Sequence, residues 1–138
     1  PPGGSPDPPE SGQGVICAFD FDAASGDIDN RRECARVAPA DGMPDGLAVD
    51  AEGFVWGTHW DGWRITRYDP EGRIDRVIKM PVPQVTSIAF GGAGLDQMFV
   101  TTARLGLSED QLREAPLSGG LFMIDAGVVG LPEVPYQN

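Results

Sequence analysis

Asp45, His59, Trp60 and Ser87 are the residues whose type and placement could carry chemistry, and Asp45 leads them. It stands in Pro44-Asp45-Gly46. A carboxylate held there can ligate a hard divalent cation through oxygen. It can equally cap neighbouring N–H groups as a turn aspartate, a common role in Pro-Asp-Gly. His59 is the single histidine, set among Trp56, Trp60 and Trp63. Either it touches a substrate or gives it a proton, or it belongs to an aromatic loop packed on the scaffold. One histidine excludes a three-His zinc site. The run Asp20, Asp22, Asp27, Asp29 invites a calcium loop, but Ser25 stands where the EF-hand needs Gly and Arg31 where it needs Glu. Those aspartates are better read as solvated hairpin residues. The chain holds no GxSxG elbow and no Cys–His pairing, and Gly91-Gly92-Ala93-Gly94 lacks the Lys-Ser/Thr of a phosphate loop.

Positioning these residues requires a scaffold, and the scaffold repeats. Ala18-Phe19-Asp20 with Gly26 and Ile28 recurs as Arg67-Tyr68-Asp69 with Gly72 and Ile74, and loosely as Met123-Ile124-Asp125 with Gly127 and Val129. The aspartates are 49 and 56 residues apart. A second theme interleaves: Gly46–Asp50 resembles Ser87–Gly91, and Val55–Thr58 resembles Phe99–Thr102. A period of about 40–50 residues with four short strands per unit is the mark of β-propeller blades. The predicted fold is therefore all-β, a partial propeller of antiparallel meanders. Unit one supplies strands at 15–22 and 29–37. Unit two is complete at 46–50, 54–60, 63–69 and 73–79. Unit three has 86–90, 97–103, 120–125 and a short last segment at 128–134. Asp50-Ala51-Glu52-Gly53 and Asp69-Pro70-Glu71-Gly72 are tight turns with Gly where φ is positive. Ser108 and Gln111 form a capping box for one helical turn that Pro116 ends. In such a meander the longer connections, 42–45, 59–62, 81–86 and 105–119, share one end, and function concentrates on variable loops of a rigid frame. The site is expected there, with Asp45 at the mouth of a central channel.

Composition narrows the partners. Ten Lys and Arg against 21 Asp and Glu leave 138 residues with a formal net charge of −11. An acidic surface repels nucleic acid and anionic membranes, so neither is expected as a partner. No run reaches the roughly 18 apolar residues of a membrane helix, and no secretory signal is visible, which points to the cytoplasm. Cys17 and Cys34 make no disulfide framework and are read as reduced, a bridge between them being the alternative. Residues 1–14 hold no large apolar side chain and should form a flexible Pro/Gly-rich leader, with 15–138 as the folded unit.

Taken together, Ala18-Phe19-Asp20-Phe21-Asp22, Pro44-Asp45-Gly46-Leu47-Ala48-Val49-Asp50-Ala51-Glu52-Gly53, Arg67-Tyr68-Asp69-Pro70-Glu71-Gly72, Thr86-Ser87-Ile88-Ala89-Phe90-Gly91-Gly92, Val100–Arg104 and Gly119–Phe122 resemble the regucalcin/gluconolactonase family, also known as senescence marker protein and luciferin-regenerating enzyme. Trp60-Asp61-Gly62-Trp63-Arg64 resembles its bacterial sugar-lactonase branch. The resemblance implies a six-bladed propeller, of which this chain matches the C-terminal part, about two and a quarter blades. It implies one divalent ion (calcium, zinc or magnesium) at the channel and hydrolysis of a sugar lactone such as gluconolactone. The family's ligands are a Glu, two Asn-like positions and the Asp of Pro-Asp-Gly, and Asp45 alone has a counterpart here. That Asp is also the family's candidate for activating water, so Asp45 is expected as both metal ligand and catalytic residue. His59, Trp60 and Ser87 are expected to face substrate. The alternatives are a non-catalytic calcium-binding or interaction propeller piece, and a strictosidine-synthase-like or arylesterase-like hydrolase. Strand 15–22 would present an open edge, a route to self-association.

Overall fold

A computed structural model describes residues 14–135. Antiparallel strands follow one another in three consecutive meanders. The first sheet pairs β1 (Gly14–Phe21) with β2 (Ile28–Val37). The second runs β3 (Met43–Val49), β4 (Val55–Trp60), β5 (Arg64–Tyr68), β6 (Ile74–Lys79). The third runs β7 (Val85–Gly91), β8 (Gln97–Thr102), β9 (Leu121–Asp125). This is a partial β-propeller: one whole four-stranded blade between two incomplete ones.

Burial follows from that position. In the middle blade, β4 and β5 are covered on both faces by the flanking sheets and are buried almost throughout, whereas β6 at the outer rim is mostly exposed. A strand covered on two faces needs no alternation, which is why Val55–Trp60 shows no regular exchange of polar and apolar residues. The larger core lies between the second and third sheets and gathers Trp56, Ile65, Val82, Val85, Ile88, Met98 and Val100. A smaller one, Ile16, Ala35 and Tyr68, joins the first sheet to the second.

The turns behave as the sequence predicts. Asp50 and Asp69 each accept two backbone N–H groups, from Glu52 and Phe54 and from Glu71 and Arg73, and Gly53 and Gly72 take φ of 82° and 79°. Asp22 accepts from Ala24 and Ser25, which confirms a hairpin role for that acidic run. Helix α1 (Glu109–Glu114) starts at Ser108 with both halves of the capping box formed. Both cysteines are free. No helix among the described residues is long and apolar enough to cross a membrane.

One expectation needs correction. The segment 128–134 forms no strand. Gly130 instead makes an isolated bridge to Asp50, and the Ala51 amide donates to the Val129 carbonyl. Gly127 at φ 68° turns the chain away from β9, and a Cβ at Gly130 would lie 2.2 Å from Phe90 Cβ, so the tail crosses to the neighbouring blade. Pro132 also has no N–H to give a ladder. Gly14 belongs to β1, and the rest of the segment expected to be a leader, residues 1–13, lies outside the described residues.

Candidate functional site

Asp45 lies inside β3, where the strand is irregular. Pro44 pairs with His59 and Leu47 with Gly57, so Asp45 and Gly46 together oppose Thr58. This is a bulge, a device that re-aims side chains. Thr58 fixes it by donating its hydroxyl to the Gly46 carbonyl over 3.1 Å. Gly46 is required because β3 and β7 nearly touch here: a Cβ would stand 2.5 Å from the Thr86 carbonyl oxygen and 2.7 Å from Ser87 Oγ. The same contact packs Ser87 against Gly46, the residue that follows Asp45. Asp45 and Ser87 are both exposed. Among the described residues the Asp45 carboxylate has no hydrogen bond or ion pair, so it is not the local cap that its motif allowed.

His59 and Trp60 occupy the same end of β4, opposite Pro44 and Met43, but their environments differ. His59 is only 2% exposed. Its Nδ1 lies 2.8 Å from the Asp41 carbonyl, to which it donates. Gly62 closes over it: a Cβ there would be 2.5 Å from His59 Cβ and 2.1 Å from the Asp41 carbonyl oxygen. The expectation of a substrate-facing His59 is therefore corrected: the imidazole is packed under the 59–64 loop. Burial holds its pKa below the ordinary 6.5, with a smaller push the same way from Arg64, against the opposing pull of the Asp41 hydrogen bond. Trp60 is half-buried and lines a groove of about 450 Å³ with Asp61, Trp63, Gln84 and Gln111. Arg64 pairs with the Asp41 carboxylate at 2.6 Å, fastening the β4–β5 loop to the segment that precedes β3.

A divalent ion finds one carboxylate here and no more. Among the described residues no group of three or more His, Cys, Asp or Glu is arranged to hold a metal. Asp45 can contribute a ligand, but this chain's own donors do not complete a coordination shell of six to eight oxygens.

Sequence reasoning missed a buried charge cluster at the opposite end of the blade. Asp50, fully buried, accepts from Trp56 Nε1 at 2.8 Å and from Arg67 Nε at 2.9 Å. Trp56 and Arg67 are register partners across β4–β5, and Arg67 and Arg76 across β5–β6. Two arginines directly opposite repel, so carboxylates gather on Arg67: Asp50, Glu52 and Asp75. Burial alone would raise the Asp50 pKa, yet the hydrogen bonds from Trp56, Arg67 and the Phe54 and Glu52 amides outweigh it and leave the group below 3.8. The signal available was the Asp-x-x-Gly turn; the partner at Arg67 is visible only once the strands are in register.

Three consecutive antiparallel sheets packed on one another define a portion of a β-propeller. The model of the SMP-30/gluconolactonase/LRE-like region matches residues 9–104, and this chain belongs to that family. It is 42% identical to regucalcin of Sus scrofa and 39% identical to that of Homo sapiens, in each case over 125 residues. Each match covers 89% of this chain and 42% of the relative, so the chain spans well under half the length of these regucalcins. Among solved structures, the calcium-binding protein regucalcin from Agrobacterium tumefaciens superposes with a TM-score of 0.82 at 27% identity, over 94% of this chain and 47% of that one. A luciferin-regenerating enzyme gives a TM-score of 0.71 at 31% identity, over 85% and 40%. A gluconolactonase from Xanthomonas campestris gives 0.51 at 29% identity, over 62% and 26%.

Proposed function

We propose that this chain is the Asp45-bearing part of a lactone hydrolase acting on a sugar lactone such as gluconolactone. The observation that carries this is the Asp45 carboxylate: exposed, re-aimed by the β3 bulge and without a partner among the described residues. Such a group can accept a proton from water as the water attacks a lactone carbonyl. Ser87, packed against the neighbouring Gly46, supplies a hydroxyl that can orient the water or a ring oxygen. Trp60 offers an indole half-open to the same end of the sheets. A divalent ion, calcium, zinc or magnesium, is the proposed cofactor, with Asp45 as one ligand and the others from outside this chain.

The test is lactone opening by the full-length protein, followed by acid release in a pH-stat, with each of the three ions added after chelation. Asp45→Ala should abolish turnover while Ser87→Ala lowers it. Undiminished turnover by Asp45→Ala refutes the reading. A second reading, a non-catalytic calcium-binding propeller, is favoured by the description of the Agrobacterium neighbour as a calcium-binding protein. It is distinguished by ion binding without turnover.

A further inference from the structure

The groove beside Trp60 has a chemistry the lactonase reading does not use. It lies between the β4–β5 loop, the β6–β7 connection and the segment carrying α1, and its lining includes Trp60, Asp61, Trp63, Gln84, Gln111 and Glu114. Gln84 is 3% exposed. Its Nε2 donates to the Leu105 carbonyl at 2.8 Å, and that bond leaves Oε1 buried with no partner. A buried acceptor without a donor is a costly arrangement that a ligand N–H relieves.

The rest of the lining asks for the same ligand. Asp61 and Glu114 form no ion pair among the described residues, whereas Arg113 next in sequence to Glu114 is paired with Asp110 and Glu109. No Lys or Arg is among the lining residues. Trp63, 43% exposed, is held at φ 56°, and Asp61 at φ 58°. Left-handed backbone is costly for a bulky residue and persists only where surroundings impose it. Here the Trp63 carbonyl accepts from the Met80 amide at 2.8 Å and its amide donates to the Pro83 carbonyl at 3.3 Å. The loop is thus locked with an indole in the groove wall.

We propose that this groove binds an organic ammonium ion, a protonated amine on a short carbon skeleton. The indoles give a cation–π surface. Asp61 and Glu114 supply the countercharge, and Gln84 Oε1 takes an N–H. A carboxylate ligand is repelled by the two acidic side chains, and a neutral alcohol gains neither the charge nor the cation–π attraction. This inference does not depend on the catalytic role of Asp45.

Butylammonium, n-butanol and butyrate are the probes, matched in length and titrated into the full-length protein with tryptophan fluorescence and calorimetry as readouts. Butylammonium should bind saturably, and the alcohol and the acid roughly tenfold or more weakly, a factor within the range of one cation–π contact with a countercharge. Asp61→Asn with Glu114→Gln, both at exposed positions, should weaken butylammonium about tenfold with an unchanged circular dichroism spectrum, and Asp45→Asn should leave its affinity as it was. Equal affinity for n-butanol, an unaltered affinity in the double variant, loss of binding in Asp45→Asn, or no saturable response to butylammonium each overturns the proposal.

Discussion

Removing the Asp50 carboxylate tests whether the Asp50–Trp56–Arg67 cluster holds the middle blade together. In Asp50→Ala, the buried Trp56 N–H loses its acceptor and Arg67, 5% exposed, loses the one fully buried member of its three carboxylates. Breaking a buried pair by deleting one partner costs about 3–5 kcal/mol, because the other charge stays desolvated. Glu52 and Asp75 still neutralise part of Arg67, which places the expected loss near the lower limit, about 3 kcal/mol. An exposed pair provides the control. Arg73 is 73% exposed and bonds Asp69 and Glu71 in water-screened surroundings, so Arg73→Ala should cost far less than Asp50→Ala. Urea denaturation followed by tryptophan fluorescence measures both, with the slope against urea checked to be the same in each variant. A loss below about 1 kcal/mol for Asp50→Ala, or one no larger than that of Arg73→Ala, would show that the cluster is a solvated ornament and refute the reasoning.

Acid should destabilise the fold through His59 before it does so through the carboxylates. The folded imidazole has its pKa below 6.5, so the unfolded chain binds the extra proton first; the contribution is complete above pH 6.5 and is lost as pH falls through the folded value. Asp50 and Asp69, both held below 3.8, are ionised in either state across that window and lose their contribution only as pH falls further. Thermal midpoints measured from pH 7.5 downward should therefore decline near pH 6 in the parent and stay level in a folded His59→Gln variant; a parent midpoint that rises with acid contradicts the burial argument. Gly46→Ala must push β3 from β7 by forcing a Cβ into the Thr86 carbonyl, at a cost of about 1–3 kcal/mol by denaturation, and should lower turnover along with stability. We further propose self-association of the isolated chain, since β1 and β9 each have one sheet neighbour and Leu121 and Met123 are 69% and 63% exposed. Light scattering should show mass rising with concentration, reduced in Leu121→Lys/Met123→Lys; a compact monomer at all concentrations is the opposing result.

Which features the sequence revealed depends on how far apart the determinants lie. Asp50–Gly53 and Asp69–Gly72 encode their turns within four residues, so the strands they join fall within a few residues of their expected limits. Ser108 and Gln111 do the same for α1. His59 is different: its neighbours Trp60 and Trp63 allow a ligand contact as well as a packed loop, and the choice is made by Asp41, eighteen residues earlier, whose carbonyl takes the imidazole N–H. The failed strand at 128–134 has the same origin. Its residues suit β-structure locally, but Gly130 meets Phe90 and Asp50 on other strands, and those contacts outweigh propensity. Gln84 gives no local signal at all, because its unpartnered oxygen follows from a bond to Leu105 across the groove. Asp45 stands between these cases. Its motif marks it for chemistry, while its freedom from local capping is set by the bulge against Thr58 and by the contact of Gly46 with β7. The two constraints that expose the carboxylate are thus packing constraints, and a change at Gly46 should reach the proposed chemistry without altering any group that takes part in it.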